Sequence, residues 1–362
     1  MGETSRWMRE ALRLALLGTG TTAPNPLVGA VVVRGGRVVG RGWHRRAGTA
    51  HAEVLALEEA GTRAKGATLY VTLEPCRHTG RTGPCTERIR EAGVARVVAA
   101  IRDPFPKVAG RGFRELARYG IAVEIGDGAA DALRLNEAYL LRVKSGRPWV
   151  DLKLATTLDG RIADARGVSR WITGEAARAR GHELRRAADA VVVGVRTVLR
   201  DDPALTARAG GEVREPLRVV LDGRLRTPPS ARLFSCDPSR VRIASLRGAP
   251  EARRRRLERL GAGVWTLPAS RGGVSLTALL RALAAEGVNR VLVEGGGLVA
   301  GAFLRAGLVD RMHLFLAPIA LGSGVEALGG LGALPLARAA RLRVMEAVPA
   351  GEDLEIRLER ST

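Results

Sequence analysis

Cysteine is scarce in this chain: Cys76, Cys85 and Cys236 are the only three in 362 residues. That excludes a disulfide framework, and paired thiols outside an oxidising compartment lean toward metal binding or catalysis. Long apolar runs are missing, so no segment is expected to cross a bilayer. Aromatics amount to 4%, which leaves few platforms on which nucleic-acid bases could stack. Lysine is limited to Lys65, Lys107, Lys144 and Lys153, so the formal net charge of +21 is carried almost wholly by arginine. The arginines are scattered apart from Arg253 to Arg256, a run that reads as a solvated helix face. Scattering of this kind disfavours a nucleic-acid-binding protein, despite the pull of basic charge on a phosphate backbone. Internal repeats, low-complexity tails and coiled-coil heptads are also missing.

Hydrophobic residues make up 46%, enough for substantial cores, and the length suits two domains. The turn-rich stretch Lys144-Ser145-Gly146-Arg147-Pro148 reads as their junction, giving domains 1–146 and 147–362. Trp7 to Leu17, with Arg6, Arg9 and Arg13 among apolar positions, reads as an amphipathic helix of a soluble domain and not as an export signal.

The first half alternates β-branched runs with helical patterns. Val28 to Val33 and Val38 to Gly42 form a hairpin through Gly35-Gly36. Ala52 to Ala60 is helical, Ala67 to Leu73 is the next strand, and Thr86 to Ala92 is a further helix. Val94 to Ile101 and Ile121 to Ile125 complete an α/β pattern with a mixed sheet. His51 and Glu53 then lie at one helix N-terminus and Cys85 at another, with Cys76 at a strand-to-loop transition.

His51, Cys76 and Cys85 supply one imidazole and two thiolates, three ligands for a tetrahedral Zn2+ that keeps a fourth position open. His51-Ala52-Glu53 followed by Pro75-Cys76 and Cys85 matches the zinc deaminase signature. There an activated water attacks an amino-bearing ring carbon, and the glutamate moves the proton as general acid and base. Glu53 is accordingly the catalytic candidate. The usual spacer between the cysteines is two residues, whereas eight separate Cys76 from Cys85.

Thr22-Ala23-Pro24-Asn25-Pro26-Leu27-Val28-Gly29, the His51 motif, and Glu74 through Cys85 with His78 and Gly80-Arg81-Thr82 between together resemble one family. It is the bifunctional pyrimidine deaminase/reductase of riboflavin biosynthesis, in which the eight-residue spacer is usual. The resemblance implies a phosphoribosylated diaminopyrimidinone substrate, with Asn25 on the base and His44, His78 and Arg81 on sugar and phosphate. Arg77 and Phe105 stand where that family usually has serine and asparagine. From the residues alone, Asn25 between prolines could serve only its turn, and His78 a loop hydrogen bond.

In the second half, Trp149 to Ala155 reads as an apolar strand, and Ala190 to Gly194, Leu217 to Asp222 and Val288 to Val293 are β-branched or apolar runs, as buried parallel strands require. Glu294-Gly295-Gly296-Gly297 leads from the last of these into a helix, Leu298 to Ala306. A strand, glycines and a helix N-terminus make the general form of a phosphate cradle, here with neither dinucleotide-fold nor Walker spacing. Leu158-Asp159-Gly160-Arg161, Ser169-Arg170-Trp171-Ile172-Thr173, Gly194-Val195-Arg196-Thr197-Val198 and Asp201-Asp202-Pro203-Ala204-Leu205-Thr206 resemble the reductase half of the same family. That half is similar in fold to dihydrofolate reductase and uses NADPH.

The resemblance places Ala155, Trp171, Thr197, Asp201, Gly223 and the segment Gly296, Gly297, Leu298, Val299, Ala300, Gly301, Ala302 at the cofactor. It places Ser169, Arg185, Leu205, Arg208 and Glu294 at the ribosyl phosphate. Lys153 and Glu294 are candidates for orienting the sugar, and Lys153 is the catalytic candidate of this half. Arg185 and Arg208 suit the phosphate, because guanidinium binds it through paired hydrogen bonds. Each charged residue could instead serve a surface ion pair, and Trp171 could be core. Thr157 replaces a usual serine and keeps the hydroxyl. His182, His313 and Cys236 read as structural.

The expected fold is α/β throughout: a cytidine-deaminase-like α/β/α domain, then a dihydrofolate-reductase-like α/β domain. The expected enzyme is cytoplasmic and homo-oligomeric, acts on a small molecule, and contacts neither nucleic acid nor membrane. Its enzymatic rival is a zinc deaminase of nucleosides or tRNA with a different C-terminal domain. A basic nucleic-acid binder with a structural zinc is the rival of another class.

Overall fold

Ser5 opens the first helix, α1 (Arg6–Leu16), where its hydroxyl accepts the Met8 N–H at 3.2 Å, a standard N-cap. The computed structural model describes residues 3–78, 83–209 and 212–360. It divides into two units, Met1–Arg147 and Pro148–Thr362.

The first unit has strands β1 (Gly29–Arg34), β2 (Arg37–Trp43), β3 (Thr68–Val71), β4 (Arg96–Ala99) and β5 (Ala122–Ile125) in one sheet. Their spatial order is β2-β1-β3-β4-β5. β1 runs antiparallel to β2 and β3, and β3, β4 and β5 are mutually parallel. Helices α2 (Ala52–Ala60), α3 (Cys85–Glu91) and α4 (Arg111–Arg118) cover one face. Ala56, Leu57, Ile89 and Leu116 pack there on Ala30, Val32, Leu69 and Val97. α1, α5 (Ala129–Leu135) and α6 (Glu137–Ser145) cover the other, through Met8, Ala11, Ala132 and Leu140 on Val31, Val33 and Val98. The alternation of Ala30 and Val32 against Val31 and Val33 is the period-2 rule applied to a sheet buried on both faces. Each fully buried Val, Leu or Ile contributes roughly 1.5–3 kcal/mol. A Cβ on Gly42 would meet the Ala52 carbonyl oxygen at 2.2 Å, so only glycine lets the start of α2 lie this close to β2.

The second unit is built on one large sheet. In chain order its main elements are β6 (Trp149–Thr157), α7 (Glu175–Ala187), β7 (Ala190–Gly194), α8 (Val195–Asp201) and β8 (Ala207–Ala209). Next come β9 (Leu217–Leu221), β10 (Val241–Ser245), α9 (Glu251–Arg259), β11 (Gly263–Thr266) and α10 (Leu276–Ala285). The last are β12 (Arg290–Val293), α11 (Gly297–Arg305), β13 (Arg311–Ala317), β14 (Leu342–Ala350) and β15 (Asp353–Arg360). The sheet order is β11-β10-β9-β7-β12-β6-β13-β15-β14. All strands from β11 to β13 are parallel, and β15 and β14 add an antiparallel edge.

From β6 the chain winds outward through β7, β9, β10 and β11, then returns to insert β12 between β7 and β6. The connections reverse there, and such a reversal leaves a crevice at the carboxyl ends of the strands. α10 and α11 pack through Leu279, Leu283, Ala300 and Phe303 on Val150, Leu152, Val192 and Val293. On the opposite face Leu257 of α9 and Val195 and Val198 of α8 meet Val191, Val193, Val220 and Ile243. Arg253, Arg255 and Arg256 of α9 face solvent, whereas Arg254 turns in to the Val264 carbonyl and the Ser245 and Thr266 hydroxyls beside the buried Leu257. Among the described residues, no helix is long and apolar enough to cross a membrane.

Candidate active sites

In the first unit three donors converge. His51 is the N-cap residue of α2, Cys85 is the first residue of α3, and Cys76 follows β3 through Leu73-Glu74-Pro75. His51 Nδ1 lies 3.2 Å from Cys85 Sγ and 3.5 Å from Cys76 Sγ. The three donor atoms all lie within 4.8 Å of one another. One imidazole and two thiols at this separation suit a tetrahedral zinc with one position left over. The hydrogen bond from Cys85 and the neighbouring His51 hold the Cys76 thiol well below its ordinary range, against its burial. A thiolate is the form that binds metal.

Glu53 stands in the first turn of α2 and is 4% exposed. Burial raises its carboxyl above the usual range, His51 opposes that rise, and its side chain is turned to the Cys85 thiol. A buried carboxyl beside the donors can hold a proton and return it. The supporting layer is backbone. Thr86 N–H donates to the Cys76 carbonyl at 3.1 Å. The Glu74 carboxylate accepts four N–H groups: Asp103 at 3.2 Å, Gly110 at 2.9 Å, Gly112 at 2.9 Å and Phe113 at 3.4 Å. Gly112 and Phe113 open α4, so this anion also faces a helix N-terminus. A Cβ on Gly112 would meet the Pro75 carbonyl oxygen at 2.1 Å, which pins α4 against the turn that carries Cys76.

Asn25 and His44 belong to one hydrogen-bonded unit. The Asn25 amide nitrogen lies 3.0 Å from His44 Nε2, and His44 Nδ1 lies 3.2 Å from the Ala50 carbonyl. The carbonyl requires the proton on Nδ1, so Nε2 accepts from Asn25. His44 is 2% exposed and packs edge-on against His51 at 5.3 Å. Its position therefore supports Asn25 and the ligand histidine, and little of the ring is open to a sugar. The His78 ring lies 6.0 Å from Phe105, and its buried Nδ1 meets no hydrogen-bond partner among the described residues. Arg77 pairs with Glu115 at 3.6 Å. Arg81 lies outside the described residues.

In the second unit the carboxyl ends of β6, β7, β9 and β12 gather Ala155, Gly194, Gly223 and Glu294. α8 adds Thr197 and Asp201, and the Arg170 guanidinium donates to the Asp201 carbonyl at 2.8 Å. That bond ties the loop bearing Ser169 and Trp171 to the end of α8. Trp171 is 70% exposed and lies under the Arg178 guanidinium at 4.4 Å, so it is not core. Gly296 caps α11, and a Cβ there would meet nothing closer than 3.9 Å. Leu298 is exposed, whereas Gly297, Ala300 and Gly301 are packed inward. Of the segment from Gly296 to Ala302, Leu298 is exposed and Gly296, Val299 and Ala302 are partly so, and these can offer surface to a ligand. An open glycine at a helix N-terminus and no acidic residue in the first turn fit the phosphates of a dinucleotide.

The substrate candidates divide. Arg185 binds Glu294 bidentately at 2.7 and 2.5 Å, and its third contact is the Thr206 carbonyl at 3.3 Å. Its fork is therefore committed to protein groups. The Arg208 guanidinium is exposed and has no ion pair among the described residues. Leu205 is 2% exposed, so only its backbone can face a ligand. Lys153 is partly buried; burial lowers its ammonium below the usual lysine range, Glu294 opposes the shift and Arg185 adds to it. Thr157 spends its hydroxyl on a turn, donating to Asp159 at 2.6 Å and accepting the Arg161 N–H at 2.9 Å.

Sequence reasoning passed over Glu74 except as part of a motif, and read His182 as structural without placing it. The structure puts His182 beside Arg185, Arg208, Glu294 and Lys153. A signal was available in the three-residue step from His182 to Arg185, which puts both on one helix face.

Comparison with known proteins covers both units. Residues 1–101 match the model of the cytidine and deoxycytidylate deaminase zinc-binding region, and residues 148–356 match that of the RibD C-terminal domain. The riboflavin biosynthesis protein RibD of Aquifex aeolicus is 41% identical, over 98% of this chain and 98% of that one. The protein of the same name from Escherichia coli is 42% identical, over 97% and 98%. The structure of Acinetobacter baumannii RibD superposes with a TM-score of 0.91 at 38% identity, covering 98% of both chains. A Thermotoga maritima structure superposes with a TM-score of 0.86 at 35% identity, again over 98% of both. It is described as a diaminohydroxyphosphoribosylaminopyrimidine deaminase/5-amino-6-(5-phosphoribosylamino)uracil reductase. The first unit has the cytidine-deaminase-like fold, and the second has the dihydrofolate-reductase-like fold of RibD reductases.

Proposed function

The chain belongs to the RibD family of bifunctional deaminase/reductases of riboflavin biosynthesis, and from that premise we propose which substrate it takes and which residues act. The substrate is 2,5-diamino-6-(5-phosphoribosylamino)pyrimidin-4(3H)-one, deaminated first and then reduced from ribosyl to ribityl. The observation that carries the reading is the buried Glu53 beside the convergent donors His51, Cys76 and Cys85.

His51, Cys76 and Cys85 would hold the zinc. Bound there, it supplies a Lewis acid that makes a water nucleophilic at neutral pH. Glu53 takes the proton of that water and delivers it to the amino group leaving as ammonia. Asn25 donates to the base, oriented by His44, with His78 and Arg81 toward the ribosyl phosphate.

In the reductase half, NADPH when bound would supply a hydride to the sugar C1 as its bond to the ring oxygen breaks and that oxygen takes up a proton. The first turn of α11, with Gly296, Gly297, Leu298 and Val299, cradles its phosphates. Ala155, Trp171, Thr197, Asp201, Gly223 and Ala302 would line the rest of the cofactor, with the buried Ala300 and Gly301 packing behind the cradle. Lys153 and Glu294 orient the sugar, Ser169 and the Leu205 backbone border it, and Arg208 takes the phosphate. Arg185 fixes Glu294 through its paired hydrogen bonds and so acts one step removed.

Thiol ligands and NADPH both require a reducing compartment, so we infer a cytoplasmic enzyme. A homo-oligomer is inferred from the general habit of such enzymes, and sedimentation of the zinc-loaded protein tests it. The function itself is tested by following ammonia release and NADPH absorbance together. Both signals, with NADPH oxidation dependent on prior deamination, are expected. Ammonia without NADPH oxidation removes the reductase assignment, and neither signal removes the substrate.

A further inference from the structure

We propose that His182 is a positioning residue of the reductase site, holding the strap Leu205-Thr206-Ala207-Arg208 against α7 through the backbone N–H of Arg208. The proposal deepens the reductase reading above and rests on it. The strap begins α8's return to the sheet and contributes Leu205 and Arg208 to the ribosyl-phosphate side of the crevice. Two side chains of α7 tie it to that helix, beside the pairing of its end with Glu212–Arg214. Arg208 N–H donates to His182 Nδ1 at 3.2 Å, and Arg185 Nη1 donates to the Thr206 carbonyl at 3.3 Å.

The strap needs holding. Leu205 has a φ of +57° with its side chain buried, and Asp202 before it has a φ of +41°. A non-glycine residue in the left-handed region persists only when its surroundings over-determine it. At its start the Asp202 carboxylate accepts the Arg232 N–H at 2.8 Å. At its end the contacts are His182 and the antiparallel pairing of Ala207–Ala209 with Glu212–Arg214.

That contact depends on a neutral ring. A neutral imidazole accepts at Nδ1 while carrying its proton on Nε2, whereas an imidazolium has no acceptor at all. The groups facing His182 are Arg185 on α7, Arg208 on the strap, Lys153 on β6 and Glu294 after β12. Burial, then Arg185 and Arg208, push the ring below the usual histidine range, with Glu294 opposing. The neutral form therefore prevails at neutral pH, and acidification sets an N–H against the Arg208 N–H. The end of the strap then loses its tie to α7 while Arg185 and the pairing with Glu212–Arg214 remain, and Arg208 is less well placed on the phosphate it binds.

The experiment is steady-state NADPH oxidation by the zinc-loaded full chain, with the deaminated phosphoribosylaminouracil as substrate, from about pH 5.5 to 8. Wild type is compared with His182→Asn and His182→Leu. Asparagine keeps an acceptor oxygen near the Nδ1 position and does not titrate. Leucine keeps the bulk and removes the acceptor. The leucine variant is expected to raise KM about tenfold at every pH, with kcat changed less than about twofold. The asparagine variant is expected to keep the wild-type KM at the alkaline end. The ratio of wild-type to asparagine KM should rise on acidification, which cancels the titration of the substrate's own phosphate. The proposal is overturned if the asparagine variant behaves as the leucine variant does. It is also overturned if the three profiles coincide, or if kcat falls while KM stays. Failure of the wild type itself to oxidise NADPH would instead remove the reductase reading beneath it.

Discussion

Replacing Glu74 by glutamine should loosen the zinc turn without touching a ligand. The carboxylate is 3% exposed and accepts four backbone N–H groups from the loop 103–113 and the start of α4. Glutamine offers one oxygen, which satisfies two of them. Its amide nitrogen then faces the other two, donor against donor. Losing two hydrogen bonds to a charged acceptor costs about 3–6 kcal/mol at 1.5–3 kcal/mol each. For a domain of this size, 1 kcal/mol shifts Tm by about 2–4 °C. The deaminase domain should therefore melt roughly 6–24 °C lower. Cys76 is two residues beyond Glu74, so zinc should also leave faster when a chelator is added. Calorimetry of the zinc-loaded protein and chelator-driven release read the two effects. A Tm within about 3 °C of wild type, together with unchanged zinc loss, would refute the view that this buried anion organises the turn.

Glu53→Gln should retain stoichiometric zinc and release no ammonia, read by metal analysis and an ammonia assay; near-normal turnover would remove Glu53 from the chemistry. Lys153→Ala should impair NADPH oxidation and spare ammonia release, and equal loss of both would argue for a structural lysine. His313 lies between Glu355 at 3.2 Å and Asp151 at 3.7 Å. Burial lowers its affinity for a proton, but hydrogen bonds and charge from Asp151 and Glu355 outweigh that and raise it. Its contribution to stability is therefore full below the unfolded value near 6.5 and is lost as pH rises through the higher folded value. The Tm of the reductase domain should decline across that window, and His313→Gln should flatten the decline. A variant as steep as wild type would assign the slope to other groups.

The sequence by itself determined the ingredients. His-x-Glu, Pro-Cys and a second cysteine name a metal and a proton carrier, because few other chemistries need those groups in that order. Continuous apolar runs at Ala190 and Leu217 name buried parallel strands, and a hairpin follows from Gly35-Gly36, because these rest on local periodicity and backbone freedom. The partners were decided by the tertiary structure. Arg185 reads as a phosphate ligand until Glu294, 109 residues away, is found in its fork. Trp171 taken alone reads more readily as core, yet the fold leaves it 70% exposed. His44 reads as a sugar contact until it is found buried between Asn25 and Ala50. Glu74 stands in a motif and His182 three residues before Arg185, yet neither role is legible there, since what each does is set by backbone N–H groups that only folding brings to them. A side chain's chemistry is local and legible in one dimension. Which charge or N–H it meets is fixed by packing across the sheet, where sequence separation carries no information.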